Sequence, residues 1–419
     1  MTATSSQEAD LLFEGPDRGV DTVDFSSLST SVGFSVSTLS VQQVHINRTI
    51  QISSVASFEN IIGGNGADTL SGNSLANFLV GGPGNDQLGG ATGSDVLVGG
   101  TGNDRYVFRR TISTEADLVT ELNGEGEDSL SFTALAIPVI FDLSSTEIQA
   151  VHTSRTIRLS SGGSIENLVG GVAADVLKGN VLNNTLIGNK GNDLLDGQGG
   201  SDILAGGLGD DIYVMTAAFS AEADSLWEGI SSGIDTIDFS DLSGGVNVSL
   251  ALIDVQQVHS NRTLRLNSGN NFENLSGGSG TDNLVGNAAA NVLIGNDEND
   301  QLVGSHGRDF LIGGNGQDFL RGGNDDDLLI SGRTVYDASL RDLNSLRILW
   351  LSSELYSLRV SKLLAGTGSP AVSLTAGVKV LTDATPGDSL EGGAGKDFFF
   401  VDLDDVIADL FAEELVHLL

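Results

Sequence analysis

Residues 63–107 read GGNGADTLS GNSLANFLV GGPGNDQLG GATGSDVLV GGTGNDRYV, five consecutive nonapeptides beginning at Gly63, Gly72, Gly81, Gly90 and Gly99. A second block begins at 170, 179, 188, 197 and 206, and a third at 277, 286, 295, 304, 313 and 322. In all sixteen the first residue is Gly and the eighth is Leu or Tyr, and in thirteen the sixth is Asp, a phase that a solvated acidic tract has no reason to keep. Gly at the first, second and fourth positions permits a tight six-residue turn. The three residues that follow carry one central apolar side chain (Leu70, Leu88, Leu97, Tyr106); they are too few for a helical turn and read as a short strand. One such strand cannot bury its apolar side alone. Two nonapeptides per coil, stacked on further coils, bring every eighth-position side chain into one core, so the spacing predicts an all-β fold, a right-handed parallel β-roll or β-solenoid.

The blocks recur at 107 residues, and the segments between them share that period. DTVDF at 21 returns as DSLSF at 128 and DTIDF at 235, and VQQVHINRT at 41 returns as IQAVHTSRT at 148 and VQQVHSNRT at 255. Period-two alternation at Val32, Phe34 and Val36, and at Ile50 and Ile52, makes these segments further, less regular coils. Three tandem units are expected: unit 1 over 1–107 (irregular coils 1–62, roll 63–107), unit 2 over 108–214 (roll 170–214) and unit 3 over 215–330 (roll 277–330). Residues 331–419 differ. Asp337 is placed to cap a helix carrying Leu340, Leu343, Leu346 and Trp350, a second helix is expected over 353–364, a strand over 378–381, and one more nonapeptide, GGAGKDFFF, at 392–400. This segment is expected to close the end of the solenoid as a small mixed cap, and 404–419 is a candidate export signal.

Fifty-six Asp and Glu against twenty Lys and Arg leave a formal charge of -36, which argues against nucleic acid as a partner and for cations. With no Cys there is neither a disulfide framework nor a thiolate metal site. No stretch approaches the roughly eighteen apolar residues of a membrane-spanning helix, and residues 1–13 lack the pattern of a cleaved secretion signal.

Successive coils of a parallel roll lie about 4.8 Å apart, so sixth-position carboxylates stack in rows, and like charges at that spacing repel by about 1 kcal/mol even in bulk water. A hard divalent cation turns such a row into a ladder of sites. Calcium takes about six or more oxygens, which Asp and the carbonyls of glycine turns supply, whereas magnesium holds to a stricter octahedron, and zinc and copper call for His or Cys. The pattern resembles the RTX, or hemolysin-type, calcium-binding repeat family with its GGxGxDxUx consensus. GGPGNDQL at 81, GGTGNDRY at 99 and GGNGQDFL at 313 agree at every motif position.

The resemblance implies calcium held between repeats two apart, which share a face. On the first face it implies Asp68, Asp86 and Asp104, then Asp175, Asp193 and Asp211, then Asp282, Asp300 and Asp318, with backbone carbonyls of turn residues such as Gly63, Gly81, Gly99, Gly206, Gly277 and Gly313. On the second face Asn77, Asn184 and Asn291 stand at the sixth position, leaving Asp95 and Asp202 opposite neutral turns, while Asp309 and Asp327 form a pair; Asp397 belongs to the isolated last repeat. The tally is about seven calcium ions, which would take the charge from -36 to about -22. Ala173 and Glu298 replace the fourth-position Gly, so their turns are expected to bind weakly. Family members are exported, often by type I secretion with an uncleaved C-terminal signal, and fold on meeting external calcium. The resemblance therefore implies an extracellular or cell-surface location without a cleaved N-terminal signal, and a surface or matrix partner.

No catalytic constellation emerges. Residues 229–233 fit GxSxG, but their counterparts at 15–19 and 122–126 lack Ser and no helix follows, so they read as loop. HExxH does not occur. His45, His152 and His259, one per unit, read as part of the repeated strand architecture. The expected function is a non-enzymatic structural, spacer or adhesion role. The alternative is the C-terminal calcium and secretion module of a longer secreted protease, lipase or polysaccharide-modifying enzyme.

Overall fold

Leu70 stands opposite Leu88, and Leu88 opposite Tyr106, in adjacent parallel strands, and all three are fully buried. A separation of eighteen residues between stacked side chains means two nonapeptides per coil, as the spacing predicts. The computed structural model describes residues 8–13, 19–121, 124–217, 220–229, 233–366, 372–375, 379–383 and 387–419, without the side chains of Leu340 and Arg341. Of the sequence-based readings, most of the GxSxG loop (230–232), its counterparts at 15–18 and 122–123, and Val378 lie outside the described residues. Among the described residues the chain is almost entirely β, with long parallel sheets and two short helices, and forms a β-roll. Its packing divides it into two compact units, Met1–Leu208 and Gly209–Leu419.

In the first unit the odd nonapeptides place strands Thr69–Ser71, Gln87–Gly89 and Arg105–Val107 side by side, and the even ones place Phe78–Pro83 beside Val96–Thr101. The segments between blocks enter the same ladders. Thr22–Asp24 pairs with Asn60–Ile62, and Gly33–Ser35 with Thr69–Ser71, burying Val23, Phe34 and Ile61. Each such segment also contains an antiparallel hairpin, Gln42–His45 with Arg48–Ile52 and Gln149–His152 with Arg155–Leu159, whose second strand runs parallel to Glu8–Leu12 or Glu115–Thr120. The same device recurs in the second unit at Gln256–His259 and Arg262–Leu266 against Glu222–Trp227. A hairpin within a solenoid coil was not expected from the alternation alone.

In the second unit one sheet runs through Val292–Asp297, Phe310–Asn315, Leu328–Ile330, Phe398–Val401 and Leu415–Leu418, and the other through Gln301–Ser305, Phe319–Asn324, Ser389–Ala394 and Val406–Ile407, all parallel. The roll therefore continues beyond Ile330 after an excursion that carries α1 (Leu340–Trp350) and α2 (Tyr356–Ala365). These helices differ from the expected end cap. Leu343, Leu346, Trp350, Val360 and Leu363 pack on Val292, Ile294, Phe310, Ile312, Leu328 and Ile330, the seventh and ninth residues of the even repeats, so they cover the outer side of one sheet instead of its last coil. Asp337 does not cap α1: the cap residue is Ser339, and the Asp337 carboxylate accepts from the Thr334 N–H at 2.8 Å and from its hydroxyl. The expected strand at 378–381 is observed as Val380–Leu381, antiparallel to Arg333–Thr334. Residues 404–419, read as a candidate export signal, form the last rungs of both sheets.

Candidate metal centre

Each sixth-position aspartate ties its own turn to the turn before it. The N–H of Asp68 donates to Asp86 Oδ1 at 2.7 Å and that of Asp86 to Asp104 Oδ1 at 2.7 Å. Asp175 donates likewise to Asp193 (2.7 Å), Asp282 to Asp300 (2.8 Å), Asp300 to Asp318 (2.9 Å) and Asp309 to Asp327 (2.8 Å). The repeats that the sequence groups by face are thus brought together at a separation of eighteen. One carboxylate oxygen is consumed in this way. The other, Oδ2, is buried and has no hydrogen-bond partner in Asp86, Asp95, Asp104, Asp300, Asp309, Asp318 and Asp327.

The first-position glycines are required by this crowding. A Cβ on Gly81 would stand 2.6 Å from the Gly99 carbonyl oxygen and collide with Asp86 Oδ2; one on Gly304 would stand 2.6 Å from the Gly322 carbonyl and collide with Asp309 Oδ2. Second- and fourth-position residues take positive φ, as at Gly82 (104°) and Gly84 (142°). Glu298 adopts the same region at 68°, a conformation costing a residue with a Cβ about 1–2 kcal/mol. Ala173 does not share that strain. The first turn of each block has a different shape, without positive φ at Gly64 or Gly66. In those first turns both carboxylate oxygens have backbone donors: Gly64 and Val32 for Asp68, Gly171 and Val139 for Asp175, Gly278 and Val246 for Asp282.

The second face behaves differently where Asn replaces Asp. Asn77 Oδ1 accepts from the Asn73 N–H at 2.8 Å, and its Nδ2 donates to the Glu59 carbonyl at 2.9 Å, so the amide closes its turn as a neutral, satisfied group. Asn184 and Asn291 repeat this, and each donates its N–H to the next aspartate, Asp202 and Asp309.

Further acidic residues extend the rows: Asp397 of the isolated last repeat, which the nonapeptide pattern located, and several that it did not reveal. Asp388 accepts from the Asp318 N–H at 2.6 Å across seventy residues, and Asp397 from that of Asp327 at 2.7 Å. Asp388 and Leu390 hold the sixth and eighth places of a repeat whose first-position Gly is missing, which hid it. Asp117, Asp128 and Asp235 receive the N–H groups of Asp95, Asp104 and Asp211. Their signal was the 107-residue recurrence of an Asp beyond the block, read only as strand. His152 accepts the Ser154 N–H on Nδ1 at 3.1 Å and His45 that of Asn47 at 3.3 Å, so these rings fasten hairpin tips.

Burial raises the pKa of these carboxyls, because removing the ionised form from water is costly. Asp86 is pushed up to about 6, Asp104 and Asp318 to about 7, Asp300 and Asp309 to about 8, and Asp327 to about 10. Neighbouring carboxylates in the row add to the rise at Asp86, Asp104, Asp300 and Asp327. The residues fit a hard divalent cation, since the turns of Asp86, Asp104, Asp300, Asp309, Asp318 and Asp327 each aim a buried carboxylate oxygen at a cradle from which a Cβ is excluded.

Parallel coils whose turns stack buried carboxylates in register define the class, a β-roll with acidic, glycine-built turns. The family described as RTX calcium-binding nonapeptide repeat (4 copies) matches residues 57–88, 71–106, 178–213, 276–311 and 304–333, so the chain carries RTX-type calcium-binding nonapeptide repeats. No curated relative matches the chain. Among the described residues no helix is long and apolar enough to cross a membrane.

Proposed function

We propose that calcium fills the sixth-position rows and that the chain is an exported, non-catalytic β-roll, folded by extracellular calcium, with a structural, spacer or adhesion role at a cell surface or in a matrix. The observation that carries this reading is the buried Oδ2 without a partner, repeated at Asp86, Asp300, Asp318, Asp309 and Asp327. Asp86, Asp104, Asp193, Asp300, Asp318, Asp309 and Asp327 would hold the ions with glycine carbonyls such as those of Gly99 and Gly313. Asp68, Asp175 and Asp282 would contribute less, since their oxygens already have backbone donors. When bound, the ion neutralises stacked carboxylates and bridges coils. Each aspartate already binds the preceding turn through Oδ1, so a site exists only when two coils have docked, and uptake of the ion and folding become one event. That coupling suits a chain made where calcium is scarce and used where it is abundant.

Calcium titration followed by circular dichroism and calorimetry tests the reading. The chain should gain β-structure cooperatively at about 0.1–1 mM calcium, the range of extracellular modules, and take up about seven ions. Full native β-content in excess chelator would overturn it.

A further inference from the structure

Where the first block ends, the chain leaves nonapeptide phase and its two rows finish differently. The second row finishes on a built-in cation: the Asp95 N–H donates to Asp117 Oδ1 at 3.0 Å, and Arg155, 2% exposed, pairs with Asp117 and, at 2.6 Å, with Glu115. The first row finishes on carboxylates. The Asp104 N–H donates to Asp128 Oδ1 at 2.8 Å in the usual way, but the following coil brings in Glu121 where earlier coils bring a glycine carbonyl. A Cβ on Gly81 would meet Asp86 Oδ2 and the Gly99 carbonyl; one on Gly99 would meet Asp104 Oδ2, Glu121 Oε1 and the Tyr106 hydroxyl.

Carboxylate oxygens of Asp104, Glu121 and Asp128 lie within 4.8 Å of one another, and all three residues are buried. Asp104, 1% exposed, has its Oδ2 without a hydrogen-bond partner. Among the described residues no Lys or Arg forms an ion pair with any of the three. The Tyr106 hydroxyl donates to Glu121 Oε1, which favours the ionised carboxylate and fixes its direction. The arrangement occurs again 107 residues later, where Asp211, Glu228 and Asp235 cluster with the same spacing and Tyr213 donates to Glu228. Glu121, Asp128, Glu228 and Asp235 lie outside the stretches that match the family repeat.

We propose that each triad is an additional divalent-cation site, of calcium type, that terminates the first row at the seam between a nonapeptide block and the next coil. The proposal rests on the reading of the rows as calcium sites and extends it to a different donor set, in which a glutamate replaces the glycine carbonyl and a tyrosine positions it. A carboxylate in place of a neutral carbonyl gives the seam site one more negative charge, so it should fill before the nonapeptide sites. The seam thereby docks the irregular coil onto the regular roll, as Arg155 does on the other row with a cation that never leaves.

Calorimetric titration of the full chain with calcium supplies the test. The E121Q/E228Q variant keeps the shape and the acceptor for each tyrosine while removing two charges. It should bind about two ions fewer than the unsubstituted chain, and in chelator it should be more folded, because repulsion has been removed. An unchanged ion count overturns the seam sites and leaves the nonapeptide sites standing; an unsubstituted chain that takes up no calcium overturns the reading of the rows itself. Terbium, a calcium-sized ion whose emission is excited through a nearby tyrosine, gives a second measurement. Y106F/Y213F should lose a large part of the tyrosine-sensitised emission of the unsubstituted chain. Equal emission overturns the proposal, and this comparison decides alone if E121Q/E228Q does not refold.

Discussion

A buried carboxyl whose pKa is raised makes folding depend on pH in a direction opposite to that of an ordinary salt-bridged acid. With Asp300 and Asp309 at about 8 in the fold and near the ordinary carboxylate value, about 3.9, in the unfolded chain, the folded state binds more protons between those limits. Without metal, therefore, the stability that protonation supplies is full below the unfolded value and declines as pH rises through the folded one. With calcium that decline is lost, since the ion holds the carboxylates ionised and the folded chain then binds no more protons than the unfolded one. The folded fraction read by circular dichroism should fall from about pH 5 to about pH 8 in chelator and stay nearly level over the same interval in saturating calcium. Parallel slopes in the two conditions would mean that these aspartates are not the ligands.

At the scale of elements, the hairpins decide how one block is joined to the next. Arg155 leaves the start of Arg155–Leu159 and reaches Glu115 and Asp117 on the neighbouring strand, with every partner almost completely buried. Arg48 makes the equivalent contacts to Glu8 and Asp10, but these acids are about a third exposed. Replacing Arg155 by Leu strands two buried carboxylates and should cost about 3–5 kcal/mol, whereas Arg48→Leu should cost about 1 kcal/mol or less, both read as loss of thermal midpoint in calcium. Equal shifts would place the stability elsewhere. The buried role of these arginines was not legible, because NRT or SRT on a short polar stretch looks like exposed loop and the acidic partners lie about forty residues upstream. The roll itself was legible, because Leu70, Leu88 and Tyr106 repeat at a period that only stacked strands satisfy. The lateral packing of α1 and α2 was written in VLI, FLI, LLI and FFF at 292, 310, 328 and 398, where seventh and ninth positions turn apolar. A residue that alternates around a central leucine and is itself apolar asks for cover on the outer face, and that demand was overlooked in favour of covering the end. The metal rows were half legible: the consensus located the aspartates, whereas Asp388 and the seam acids belong to coils that keep the fold without keeping the motif.

For the molecule as a whole, a charge of -36 with rows of carboxylates in register leaves the roll dependent on counterions along its length, and its last rungs are part of that balance. Asp405 accepts from the Asp388 N–H at 3.0 Å and Asp409 from the Gly392 and Gly393 N–H groups at 2.9 and 2.8 Å, while Leu415–Leu418 pairs with Phe398–Val401. A chain ending at Val401 should consequently melt lower in calcium and associate through the uncovered strand edge, as measured by calorimetry and sedimentation. An unchanged midpoint with a monomeric chain would make residues 402–419 dispensable to the fold. The excursion through α1 and α2 carries a different lesson. The bond from Asp318 to Asp388 has the same geometry across seventy residues as the bond from Asp282 to Asp300 across eighteen, so the stacking of coils is indifferent to what is spliced between them. Because closing a longer loop costs only about 0.6 kcal/mol per doubling of its length, the junction between Ile330 and Ser389 is a natural port for grafting a guest domain, which would be carried on the side of the roll without interrupting its period.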